Sequence, residues 1–241
     1  PDQGIWEIRG EPRQFVHGKA MAWVALDRAI RLLGERPEWC RERDEILEAL
    51  TAHAGDGNEG GFLQTFADGG MDAALLLLPM LALPLSGEVL DDTVRGVERA
   101  LRDGDYLRRY SLEDTDDGLQ GEEGAFLICS FWLVDALLCT GRAEAARDLF
   151  ERLLEQANDV GLYAEEIDPT SHAFLGNFPQ AFTHLALINS AINLDLHERL
   201  GVKALKGTHA DRIVRTISLT KHAPSDASST LGRKTEKGDP T

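Results

Sequence analysis

Two loops in this sequence carry carboxylates beside aromatic residues. The first is Trp6-Glu7-Ile8-Arg9; the second is Tyr163-Ala164-Glu165-Glu166-Ile167-Asp168-Pro169, followed by Leu175-Gly176-Asn177-Phe178-Pro179-Gln180. A carboxyl pair suits hydrolysis of a glycosidic bond with inversion. One member gives a proton to the leaving oxygen, and the other takes a proton from the attacking water. The two stand about 6.5–9.5 Å apart so that the water fits between. Trp6 would supply a flat face for a sugar ring and shield a neighbouring acid from water, which raises its pKa. Taken singly, Glu7 reads equally well as a surface carboxylate paired with Arg9 or Arg13, and Glu165 as a solvated loop residue.

Elements that could bring such distant loops together follow from a pattern recurring roughly every 50 to 57 residues. Each unit opens with a loop rich in Gly and acidic residues, continues with a mostly apolar helix, and closes with a charged, amphipathic one. The apolar helices are predicted at about 14–33, 71–83, 125–138 and 178–192; the charged ones at about 37–53, 88–102 and 143–156, with 195–200 as a remnant. A helix that is apolar all round is buried, whereas a singly striped helix covers a core from outside. The alternation therefore predicts an all-α fold, an α/α toroid of helical hairpins with an inner and an outer ring. Every hairpin returns the chain to the same end, so the four loops gather on one rim. A closed ring takes about six hairpins and about three and a half are present, which makes this an incomplete barrel. Residues 1–205 are assigned to the barrel and 206–241 to a disordered tail, with Ile213, Val214, Ile217 and Leu219 as a short docking element inside it.

A net charge of -16 argues against nucleic acid as a partner, because such binders cluster Lys and Arg. The longest apolar run, Ala73–Leu78, is too short to cross a bilayer, so no membrane association is expected. Position 1 is Pro and no basic-then-apolar leader follows, so the start reads as a cut inside a longer protein. Cys40, Cys129 and Cys139 lack metal-ligand spacing and fit buried thiols in a reducing cytoplasm. Neither a metal nor another cofactor is expected. The Gly55–Gly61 segment lacks the Lys-Ser/Thr end of a phosphate-cradling loop and reads as rim loop.

Gly4-Ile-Trp-Glu-Ile-Arg-Gly10, Met21-Ala-Trp-Val-Ala-Leu-Asp-Arg28, Glu122-Glu-Gly-Ala-Phe-Leu-Ile-Cys-Ser-Phe-Trp132, Tyr163-Ala-Glu-Glu-Ile-Asp168 and Gly176-Asn-Phe-Pro-Gln-Ala-Phe-Thr-His184 occur in that order within residues 4–194. Together they resemble glycoside hydrolase family 15, the family of glucoamylases, glucodextranases and bacterial trehalases. The resemblance implies a six-hairpin α/α barrel and single-displacement hydrolysis of α-linked glucosides. It places the general acid on Glu7 and the general base on Glu165, with Glu166 as the adjacent alternative. An Arg-Tyr pair ahead of the third loop, implied as a sugar-hydroxyl ligand, lands on Arg109 and Tyr110. Trp6, Glu123, Tyr163 and Glu166 complete the expected carbohydrate-binding set. The family's Arg-Asp pair from the first half of the barrel and its β-sandwich domain are not in these 241 residues.

Each assignment has a plainer counterpart. Glu122 and Glu123 precede an inner helix, whose N-terminus favours carboxylates without any substrate. Arg109 reads equally as a partner of Asp103 or Asp105. Trp23, Phe131, Trp132 and His184 lie on inner helices and read as core. The competing function is a non-catalytic carbohydrate-binding or regulatory toroid. It is disfavoured because a binding domain has no chemical need for carboxylates at both positions. A prenyltransferase-like toroid lacks its Asp/Cys/His zinc set.

Overall fold

A computed structural model of the chain describes residues 1–55, 60–66, 69–111 and 123–221. Among them are the helices α1 (Val16–Leu33), α2 (Pro37–Ala52), α3 (Gly87–Leu101), α4 (Leu127–Cys139), α5 (Ala143–Leu154), α6 (Ala181–Leu200) and α7 (His209–Lys221), and 3-10 segments at Ala73–Met80 and Val202–Leu205. Five two-residue strands lie between the helices: β1 (Arg102–Asp103), β2 (Tyr106–Leu107), β3 (Ala125–Phe126), β4 (Glu166–Ile167) and β5 (Phe174–Leu175).

The two kinds of helix sit where their apolar patterns require. On α4, Leu127, Phe131, Leu133, Val134 and Leu137 are all buried, around most of the helix. It packs against α5, α6 and the Ala73–Met80 segment. By contrast α5 buries only Ala146, Leu149 and Leu153, a single stripe at helical spacing. Helix α3 likewise turns Val94, Val97 and Leu101 inward. Its start is fixed by Ser86, whose hydroxyl accepts from the Val89 N–H at 3.2 Å. The inner row thus runs α1, Ala73–Met80, α4, α6, and the outer row lays α2 on α1, α3 on the 3-10 segment and α5 on α4. Apolar side chains stand exposed at both ends of the inner row: Met21 and Leu32 on α1, and Phe182, Leu185 and Ile188 on α6.

Three expectations need correction. The second inner element is a 3-10 segment, not an α-helix over 71–83; Pro79 inside it has no N–H to donate and clashes with a regular α turn. The fourth inner helix is a single long α6, starting after Pro179 and ending at Gly201 with φ 74°. The tail is helical over residues 209–221. There Thr208 and Asp211 cap the helix reciprocally: the Asp211 N–H donates to Thr208 Oγ1 at 3.1 Å and the Thr208 N–H to Asp211 Oδ2 at 2.7 Å. The buried Arg212 guanidinium holds α7 in place by donating to the carbonyls of Met80, Leu205 and Gly207. Of the expected apolar docking element, Ile213, Val214 and Ile217 are exposed and only Leu219 packs against the core. Residues 222–241 lie outside the described residues, as does the whole third loop, residues 113–121.

Candidate active site

The rim is stitched loop to loop. Phe15 bridges to Thr65, and the Val16 N–H donates to Gln64 O at 3.0 Å. Asp72 bridges to Tyr110, and the Ala73 N–H donates to Arg109 O at 2.8 Å. The Leu127 N–H donates to Glu165 O at 3.0 Å. Strands β3, β4 and β5 then form one antiparallel sheet in which Phe126 pairs with Glu166, and Glu166 with Leu175. The described parts of the first, second and fourth loops, and the residues flanking the third, therefore lie at one end of the helices.

At the centre of this rim is Trp6. Its indole lies 6.1 Å from Phe126, 5.9 Å from Trp132 and 6.5 Å from Tyr110 between ring centroids. The Arg109 guanidinium sits over the Phe126 ring at 4.4 Å, over Tyr110 at 4.9 Å and over Trp6 at 5.4 Å. Arg109 pairs in a two-pronged fashion with Glu123, whereas Asp103 pairs with Arg108 and Asp105 with Arg152. The aspartates weighed as partners of Arg109 are thus occupied elsewhere. Glu123 forms an ion pair instead of serving only as a helix-end charge; Glu122 lies outside the described residues. Tyr110 is buried and backs Trp6 and Arg109.

Glu7 follows Trp6 in a tight turn, with φ 53° and its N–H donating to Gly4 O at 3.3 Å; its side chain is exposed on the rim. Glu165 is half-buried and held by three donors. Asn177 gives its backbone N–H at 3.0 Å and its side-chain amide at 2.9 Å to Oε2, and Gln180 gives its amide at 3.2 Å to Oε1. Gly176, at φ 69°, leaves room for that carboxylate: a Cβ there would lie 2.7 Å from Glu165 Oε2. Glu166 points differently along β4 and accepts from the Gly124 N–H at 3.0 Å. Burial lifts its pKa above the ordinary carboxylate value and the charges of Glu123 and Glu165 add to this, while the Gly124 N–H and Arg109 act the other way.

One expected ligand does not reach the rim. Tyr163 is 1% exposed; its ring packs edge-on against Phe131 and His184, and its hydroxyl donates to the carbonyls of Leu153 and Leu154. The residue belongs to the core and anchors loop four to the end of α5. Sequence reasoning overlooked Gln64 and Asp72, and it quoted Asn177 and Gln180 within a motif without giving either a role. Asp72 stands directly before an apolar segment, a position that reads simply as a helix cap.

A cavity of about 700 Å³ runs down the concave face beneath the rim. Its walls include Ile5 and Trp132 near the top and Asp135, Asn193 and Arg212 towards α7. Glu7 and Glu165 do not line it; they stand on the open rim above. Among the described residues no cluster of His, Cys, Asp and Glu is placed to hold a metal ion, and no helix is long and apolar enough to cross a membrane.

Paired inner and outer helices, with the described outer-to-inner loops on one rim, define the class of α/α toroids. Solved structures share this fold: a wild-type glycosidase superposes with a TM-score of 0.63 at 16% identity over 79% of this chain and 54% of its own, and a glycosidase in complex with glucose with 0.63 at 16% over 81% and 55%. The model of Glycosyl hydrolases family 15 matches residues 1–192, and the chain belongs to that family. It is 47% identical over 201 residues to a trehalase of Mycobacterium tuberculosis, covering 80% of this chain and 29% of that protein. It is also 40% identical over 203 residues to a trehalase of Thermoplasma volcanium, covering 81% and 32%. The chain spans less than a third of the length of these curated relatives.

Proposed function

We propose that this chain supplies the acid and base of an inverting glycoside hydrolase that releases glucose from an α-linked glucoside, with trehalose as the first substrate to test. The observation that carries the proposal is the continuous path Glu7–Trp6–Phe126–Glu166–Glu165 across one rim, in which each step is a peptide bond, a ring contact or a strand pairing. The choice of trehalose rests on the relatives, which are trehalases.

In this mechanism the Trp6 face and Arg109 form the wall against which the sugar lies. Glu7, on the exposed turn beside Trp6, gives its proton to the leaving oxygen. Glu165 takes a proton from the water that attacks the anomeric carbon on the opposite face. The three donors on Glu165 fix its direction, which suits a base better than the strand-bound Glu166. Water attacks and the glycosidic bond breaks in one displacement, so the configuration at the attacked carbon inverts.

Glucose release by the complete protein from trehalose, maltose, isomaltose and soluble starch tests the reading. Turnover of trehalose is expected. Glu7→Gln and Glu165→Gln should each lower kcat by about 100- to 10,000-fold with the fold intact. Near-normal turnover by either variant removes that residue from the mechanism. Binding of sugar without turnover by the wild type would favour a non-catalytic toroid.

A further inference from the structure

Asp72 is 4% exposed, and three donors converge on it. The Ala74 N–H donates to Oδ1 at 2.7 Å, the Trp6 indole N–H to the same oxygen at 2.9 Å, and the Gln64 amide to Oδ2 at 3.0 Å. The first of these is the ordinary cap of a helical segment, and Ser or Asn would supply it without burying a charge. Burying a carboxylate is costly unless hydrogen bonds compensate. The length and acceptor capacity of Asp72 are matched to its other two partners.

Those partners belong to the site. Gln64 is fixed by its own backbone, which receives the Val16 N–H at 3.0 Å and donates to Gly70 O at 3.0 Å. Trp6 is held at its ring by Phe126, Trp132 and Tyr110, and at its N–H edge by Asp72. Glu7 is the next residue, locked in a left-handed turn, so the direction of its side chain follows the position of Trp6.

We infer that Asp72 is a positioning residue for the proton donor: by accepting the Trp6 indole N–H it fixes the residue from which the Glu7 turn follows, and so sets the direction in which Glu7 faces the substrate. This rests on the proposed function of Glu7. Asp72 touches neither substrate nor reacting atoms and acts through Trp6. Without it the indole N–H loses its acceptor, the ring shifts, and the turn that carries Glu7 shifts with it.

Asp72→Ser, Asp72→Asn and Trp6→Phe in the complete protein, assayed on trehalose, separate this role from helix capping. Serine keeps the cap but cannot reach the indole. It is expected to lower kcat about 10- to 100-fold with a smaller change in KM. Asparagine can accept from both Trp6 and Ala74, and Gln64 can turn its amide to meet it; kcat should stay within about threefold. The double variant Asp72→Ser/Trp6→Phe should be no slower than Trp6→Phe alone. Wild-type kcat in Asp72→Ser, or losses that multiply in the double variant, would overturn the inference. So would a 100-fold loss in Asp72→Asn, which reports even if the serine variant does not fold. The Trp6 indole resonance, identified with Trp6→Phe, should shift in Asp72→Ser and hold in Asp72→Asn. If trehalose is not cleaved, or Glu7→Gln turns over normally, the proposed function fails; the resonance then still decides whether Asp72 holds Trp6.

Discussion

Gly176→Ala offers a way to displace Glu165 while leaving its carboxylate in the chain. Gly176 has φ 69°, a conformation that costs an L-residue about 1–2 kcal/mol. The added Cβ would sit 2.7 Å from Glu165 Oε2 and 3.1 Å from its Cβ, whereas ordinary contact begins at 3.4 Å. The carboxylate oxygen must therefore retreat by about 0.7 Å, and a misplacement near 1 Å at a reacting centre costs on the order of 100-fold in rate. The retreat also disturbs the bonds from Asn177 at 3.0 and 2.9 Å, which aim the carboxylate. Loss of kcat on trehalose by about 100-fold is expected, together with a loss of stability of about 1–2 kcal/mol in urea titration. If the stability loss appears while kcat stays within about threefold of wild type, the placement of Glu165 is not rate-determining, and Glu166 becomes the better candidate for the base.

Two further predictions concern the interior. Burial raises the Asp135 pKa from an ordinary 3.8 to about 7, outweighing its hydrogen bonds from Asn193 and Ser190 and the charge of Arg212. Between those values the folded state binds a proton that the unfolded chain has lost, so this group makes stability fall as pH rises from about 4 to about 7. Asp135→Asn should remove that slope, matching wild type at about pH 4 and exceeding it at about pH 8 in urea titrations; an unchanged slope would refute the assignment. Burial also lifts the thiol pKa of Cys129 well above its usual value and that of Cys139 to about 12. Cys40, half-buried on the outer helix α2, should be the first thiol of this chain to react with a disulfide reagent under native conditions, and Cys40→Ser should abolish that phase.

The alternation of helix types was legible because it reflects burial directly. The all-round apolar stretch around Phe131 and the striped one around Leu149 can each pack in only one kind of place. The four loops follow from the hairpins, so Glu7 and Glu165 could be put on one rim without coordinates. The Thr208–Asp211 box was also in the sequence, but the polar composition of the tail masked it. Side-chain direction was not legible. Tyr163 adjoins the candidate base yet turns into the core, where its ring meets Phe131 and His184 and its hydroxyl donates to the carbonyls at the end of α5. Asp72 looks like any cap, and its hold on Trp6 depends on a contact spanning 66 residues. Arg109 chose Glu123 over nearer aspartates because the sheet and aromatic ring beneath it fix its path.

Time-resolved NMR of the first glucose released by the complete protein tests most directly whether a proton donor and a water-activating carboxylate act across this rim in one displacement. Trehalose joins two α-linked anomeric carbons. Attack with inversion at one of them yields β-glucose from the attacked unit and α-glucose from the departing one. Equal amounts of the two anomers before mutarotation are the expected result; α-glucose alone would contradict the account.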